Sequence, residues 1–148
     1  MIDTVDGIMI TLHVASEQVL FIMLGSGGSI TRCGTGSIND RERDMVIGIT
    51  REPLFEKLRA EINPEWFDHQ GIYDIPDKKG LPCELTIHMK HTDYKESGLQ
   101  FRYGTESLGP PPDVRHFVRS AVSLSDPWFQ QQKKTVAGSE GEHETTNE

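Results

Sequence analysis

Cysteine and histidine supply the side chains of this sequence that are best suited to binding a metal. Cys83, His88 and His91 lie within nine consecutive positions. In an extended strand, residues an odd number of positions apart point to opposite faces, so Cys83 diverges from His88, and His88 diverges from His91. Zinc requires three or four converging ligands, commonly including a Cys-x-x-Cys pair that this sequence lacks. We therefore expect no metal site and no cofactor.

Two groupings of histidine with carboxylates could support acid–base catalysis. The first combines His88 with Glu84, and the second combines His69 with Asp68 and Asp74. Catalysis would require each grouping to converge in a cleft. The alternative is that these residues are separate, solvated surface residues, as their polar neighbours in the sequence indicate. We therefore predict no catalytic residue, and a small hydrolase is the least favoured functional class.

Glycines are concentrated between Gly25 and Gly36, where a loop could hold a phosphate group or present a nucleophilic serine. A phosphate-binding loop requires Gly-Lys-Ser/Thr at the start of a helix, but this segment contains no lysine. A serine hydrolase elbow also leads from a strand into a helix, whereas Ser29 begins a predicted strand. We interpret the cluster as a hairpin turn followed by a loop.

Composition excludes several classes of protein. The 148 residues carry a net charge of −8, with a pI near 5.2. Phosphate backbones repel an acidic chain, so we exclude nucleic acid as a partner. The longest apolar run, residues 19–24, is far shorter than the roughly 18 residues of a membrane helix. The N-terminal segment has no secretory signal pattern, and two cysteines 50 positions apart indicate reduced thiols in the cytoplasm.

Hydrophobic periodicity predicts an α+β fold, with a mainly antiparallel sheet of about six or seven strands and two helices packed on one face. The predicted strands cover residues 8–14, 19–24, 29–33, 45–50, 72–75, 83–89 and 99–103. The first helix begins at Pro53, continues to Ile62 and stops at Asn63-Pro64. The second is capped by Asp113 and stops at Asp126-Pro127. A polar turn is predicted at residues 76–80.

The two predicted helices end in the same way, which indicates an internal duplication. A shift of 62 positions places Phe55 on Phe117 and Trp66-Phe67 on Trp128-Phe129. This predicts two strand-strand-strand-helix units, over residues 19–67 and 71–129, in which both tryptophans occupy related, sheltered environments. The alternative is chance similarity, because the identities are few.

The domain boundaries follow from the distribution of apolar residues. Residues 1–129 form one predicted globular domain. Residues 130–148 contain one valine and one alanine as their only apolar residues. Such a segment buries too little surface to offset its ordering entropy, so we predict a disordered acidic tail.

The favoured function is a noncatalytic, bacterial-type binding module, whose acidity suits a basic protein partner. Helices on only one side of the sheet leave the other face open. On that open face we place six polar residues as candidate binding residues: Glu84, Thr86, His88, Lys90, Gln100 and Arg102. The alternative is a small-molecule-binding domain with an aromatic cleft at the junction of the repeats, near residues 66–73. The oligomeric state is not predicted.

Overall fold

The computed structural model describes residues 2–40, 44–72, 80–105 and 109–147, with side chains as far as Thr135. The strands are β1 (Val5–Val14), β2 (Glu17–Gly25), β3 (Ser29–Gly34), β4 (Met45–Ile49), β5 (Gly71–Ile72), β6 (Pro82–His91) and β7 (Glu96–Gly104). The helices are α1 (Leu54–Arg59) and α2 (Pro112–Asn147), and short 3-10 helices cover Ile2–Thr4 and Pro64–Asp68.

The seven strands form one sheet in the order β4-β3-β2-β1-β6-β7-β5. Every neighbouring pair is antiparallel except β5 and β7, which run parallel. This architecture confirms the predicted α+β fold with a mainly antiparallel sheet and two helices. The duplication stays a prediction, although Trp66 is buried and Trp128 is half-buried.

Alternation along the strands builds the core on the face of the sheet that the helices cover. Ile10 of β1, Ile22 of β2 and Ile87 of β6 are at most 1% exposed. They pack with Phe101 and with Phe117 of α2 in one hydrophobic cluster. Burial of these side chains is the dominant favourable contribution to folding, at about 1.5–3 kcal/mol for each large apolar side chain.

The turn between β2 and β3 requires glycine, as its sequence predicts. Gly28 has a φ of +95°, and a Cβ atom there would lie 2.5 Å from the carbonyl oxygen of Thr50. The amide of Thr50 donates to the carbonyl of Gly28 at 2.8 Å. This bond also determines which residues of β4 direct their backbone hydrogen-bonding groups toward β3.

The predicted first helix is longer than the observed one. Helix α1 ends at Arg59, and Ile62 is buried in the irregular segment that follows. The predicted stop at Asn63-Pro64 instead begins a 3-10 helix, where the side-chain oxygen of Asn63 accepts a hydrogen bond from the amide of Glu65 at 3.0 Å. An apolar residue at helical spacing can therefore reach the core without belonging to the helix.

The predicted end of the second helix at Asp126-Pro127 is wrong, because α2 continues through Pro127. Proline removes one backbone donor, but side chains support the preceding turn. Ser125 Oγ donates to the carbonyl of Ala121 at 2.7 Å, and Phe129 beyond the proline is fully buried. Tertiary packing therefore outweighs the proline signal. The helix also extends over residues 130–147, for which the sequence predicts disorder.

Two smaller predictions differ in position. Asp113 lies within the first turn of α2, which begins at Pro112, and not at the predicted N-cap. Strand β5 covers Gly71–Ile72, whereas the rest of the predicted strand at 72–75 and most of the turn at 76–80 lie outside the described residues. Among the described residues, no helix has the length and apolar character needed to cross a membrane.

Candidate functional site

The face of the sheet opposite the helices is the candidate functional site, and we call it the open face. Paired residues on neighbouring strands share a face, so the strand register shows which side chains lie there. Its polar half, on β6 and β7, contains the six predicted binding residues Glu84, Thr86, His88, Lys90, Gln100 and Arg102. Its apolar half, on the first four strands, contains Met9, Phe21, Met23, Met45, Ile47 and Ile49.

The polar half is held together by contacts across the β6–β7 hairpin. Gln100 Nε2 donates to Glu84 Oε1 at 2.6 Å, and Arg102 Nε lies 3.8 Å from Glu84 Oε2. His88 Nε2 lies 3.5 Å from Glu96 Oε1. Thr86 and Lys90 lie on the same face. The structure thus brings all six predicted residues onto one surface, with both signs of charge represented.

The sequence prediction does not include the apolar half. Ile47 is 73% exposed and Ile49 is 77% exposed, while Met9, Phe21 and Met23 are half-buried. The feature of the sequence that could have indicated this apolar half is the unbroken apolar run at residues 19–24. A strand that is apolar at successive positions is apolar on both of its faces, which is typical of a strand covered on both sides.

A cleft of about 840 Å³ lies at one end of the open face. Met9 and Met23 contribute its apolar lining, and Lys90 and Lys95 contribute positive charge. The β2–β3 turn borders one side, and Tyr94, which is 96% exposed, borders the other. Asp6 and Glu96 also line the cleft, which is therefore open to solvent and carries apolar groups and both signs of charge.

The predicted aromatic cleft near residues 66–73 lies only partly within the described residues, because Tyr73 lies outside them. Trp66 is 1% exposed and packs edge-on against Phe117, with ring centroids 5.1 Å apart. Its indole Nε1 donates to Asp113 Oδ2 at 2.6 Å. This hydrogen bond is the main reason that the pKa of Asp113 is lowered. The cavity beside Phe67 measures only about 10 Å³, so the described aromatic residues here serve the core.

The residues considered as metal ligands lie apart in the described structure, whereas His88 and Glu84 share the open face. Cys83 is buried on the helix-covered face, opposite His88. His91 is held between Thr4 and Ser97, at 2.8 and 2.9 Å from their hydroxyl oxygens. No group of three potential metal ligands occurs among the described residues. Asp74 of the second histidine grouping lies outside the described residues.

One buried cation fixes α2 on the sheet and was not predicted. Arg32 of β3 is 1% exposed, and its Nη1 donates to Asp126 Oδ1 at 2.7 Å and to Ser125 Oγ at 2.9 Å. Its guanidinium also lies 4.7 Å from the ring centroid of Phe129. Because these contacts lie on the helix-covered face, Arg32 stabilises the scaffold behind the open face.

Comparison with known proteins adds no relative. No family model matches the chain, and no match is found among curated proteins or solved structures. The geometry of the open face therefore carries the functional argument.

Proposed function

We propose that this protein is a noncatalytic module that binds another protein through the open face. The observation that carries the proposal is the apolar half, in which Ile47 and Ile49 are largely exposed beside half-buried methionines. Contiguous apolar surface of this kind is typical of protein-binding sites. The adjoining polar half supplies the hydrogen-bonding rim that gives an interface its specificity.

The chemistry of the partner follows from charge. The chain has a net charge of −8, and a strongly acidic protein associates fastest with a basic one. The open face itself carries both signs, with Glu84 paired to Arg102. We therefore assign the acidity a role in long-range attraction and the open face a role in close contact.

Cysteine placement supports a cytoplasmic setting for this function. Cys33 and Cys83 form no disulfide, and both are buried. Cys33 pairs in register with Phe21 on the open face, whereas Cys83 lies on the helix-covered face. Because the two thiols lie on opposite sides of the sheet, this fold does not use them as a stabilising disulfide, as is usual for reduced compartments.

Affinity capture with two matched variants tests the proposal. Met23→Lys places a charge in the apolar half, and Gln130→Lys adds the same charge at an exposed position on α2. We expect a basic protein to be captured equally by the native chain and by Gln130→Lys, and at least about tenfold less by Met23→Lys. Circular dichroism checks that both variants fold. Equal capture by both variants would contradict the proposal.

A second candidate function, small-molecule binding, is favoured by the cleft of about 840 Å³. Its volume falls within the range of ligand sites, roughly 300–1,000 Å³. With Lys90 and Lys95 beside Asp6 and Glu96, the cleft would select a ligand that carries both signs of charge, and the apolar portion of that ligand would contact Met9 and Met23. Native mass spectrometry of the purified protein tests this function, because a bound metabolite should be lost from the Lys90→Ala/Lys95→Ala variant.

A further inference from the structure

Strand β4 presents an unpaired backbone edge. It is the last strand in the sheet order, so no described strand covers its outer side. The amide of Thr50 donates a hydrogen bond to the carbonyl of Gly28. Hydrogen-bonded pairs alternate along an antiparallel ladder. The even-numbered residues of β4 therefore form the hydrogen bonds to β3. The backbone groups of Met45, Ile47 and Ile49 therefore point outward from the sheet.

This edge lacks the features that usually prevent strand pairing. Natural edge strands are protected by charges, prolines, bulges or short length. The residues Met45–Ile49 include no charge or proline, and their pairing with β3 has no register shift. The opposite edge strand, β5, has only two residues. The two edges of the sheet thus differ in their capacity to accept another strand.

We propose that β4 pairs with β4 of a second copy of this chain, antiparallel and about a two-fold axis at Ile47. In this register Ile47 opposes Ile47 of the second copy, and Met45 opposes Ile49 in both directions. The outward backbone groups then form hydrogen-bonded pairs, and the two seven-stranded sheets become continuous. The sequence of β4 is self-complementary here, as a two-fold interface requires.

The helix-covered side of the same edge supports this pairing. Trp128 packs on Gly48 so closely that a Cβ atom there would lie 2.8 Å from its Cζ2 atom. The indole is half-buried at the sheet edge. In the proposed register, Val46 of the second copy lies opposite Gly48, next to this ring. The pairing therefore covers apolar side chains on both faces of the sheet.

Contact size and charge predict a weak dimer. A five-residue strand is about 17 Å long, and the resulting contact is smaller than the roughly 800 Å² per partner of a stable interface. We expect a dissociation constant of roughly 10–100 µM. Two chains of net charge −8 repel each other, so added salt should strengthen the dimer. Binding of a basic partner should respond to salt in the opposite direction.

Sedimentation equilibrium of the full chain, from about 1 µM to about 1 mM, tests the proposal. We expect a reversible monomer–dimer equilibrium. Ile47→Lys should raise the dissociation constant at least about tenfold, because two ammonium groups would face each other across the axis. Ile72→Lys is the matched control, since Ile72 is also an exposed isoleucine on an edge strand, and it should have no effect.

A charge pair tests the register. Met45→Lys and Ile49→Glu should each weaken the dimer, whereas the double variant should recover native affinity within about threefold, because the two new charges oppose each other across the interface. A chain that is monomeric at 1 mM, a dimer that tolerates Ile47→Lys, or a failed recovery would each overturn the proposal. A monomer that still captures a basic protein through Met23 would leave the proposed function intact.

Discussion

The two faces of the sheet are built from the same strands but differ in what covers them. On the helix-covered face, Ile22 is 1% exposed and contacts a continuous core. On the open face, the next residue, Met23, is half-buried, and Ile47 is 73% exposed. Side chains of similar hydrophobicity therefore stabilise the fold on one face and remain available for binding on the other. Pairs of matched substitutions can measure this difference.

The largest expected difference is between two isoleucines. Ile22→Ala leaves a cavity in the core and should cost about 2–5 kcal/mol in the free energy of unfolding. Ile47→Ala removes an exposed side chain and should cost less than about 1 kcal/mol. Urea unfolding of both variants, at a concentration where the chain is monomeric, measures the comparison. Similar losses of unfolding free energy for the two variants would contradict the comparison, because they would show that Ile47 is also buried in the monomer.

Two arginines provide the next comparison. Arg32→Ala removes a buried guanidinium together with its contacts to Asp126 and Phe129, and should cost about 2–3 kcal/mol. The cost is moderated because the remaining carboxylate of Asp126 is 44% exposed. Arg102→Ala, on the open face, should change stability by less than about 0.5 kcal/mol. Thermal unfolding gives both values, and a small loss for Arg32→Ala would contradict its assigned role in fixing α2.

Much of this arrangement is predictable from periodicity. Alternation at residues 83–89 and 99–103 places Glu84, Thr86 and Gln100 on one face, and the register confirms that placement. Side-chain direction in a strand depends only on local geometry. The general fold follows for the same reason, because short hairpins leave antiparallel pairing as the simplest connection.

Long-range contacts explain what the sequence does not predict. The passage of α2 through Pro127 depends on Phe129 and Ser125 reaching Arg32, which lies more than 90 positions away. Local propensity favours a stop there, and tertiary packing overrides it. The apolar half of the open face also depends on strand order. Residues 19–24 and β4 form one surface only because β3 pairs with both strands.

Two tyrosines extend the comparison to alkaline pH. Burial raises the pKa of Tyr103 to about 12, with a further increase from Cys83 and a partly opposing effect of Arg115. The unfolded chain therefore loses this proton first, near pH 10, and stability should fall between pH 10 and 12 by up to about 2–3 kcal/mol. Tyr103→Phe should remove this part of the loss. Tyr94→Phe makes the same substitution at a 96% exposed position and is the matched control for loss of a hydroxyl group.

Two carboxylates provide the smallest expected difference. The hydrogen bond from Trp66 lowers the pKa of Asp113, so the folded state favours the charged form. Its contribution is present above the pKa of the unfolded chain, near 4, and is lost as the pH falls through the lower folded value. Because solvent screens this exposed carboxyl, Asp113→Asn should cost no more than about 1 kcal/mol at pH 7 and progressively less in acid. Glu84→Gln removes the charge of another hydrogen-bonded carboxylate. Both carboxylates reach solvent, but Glu84 accepts from the exposed Gln100, whereas Asp113 accepts from the buried indole of Trp66, so we expect a loss below about 0.5 kcal/mol for Glu84→Gln. Chemical unfolding from pH 2 to 7 distinguishes the two. Equal pH profiles for the two variants would show that the hydrogen bond from the buried indole does not make Asp113 contribute more to stability than Glu84.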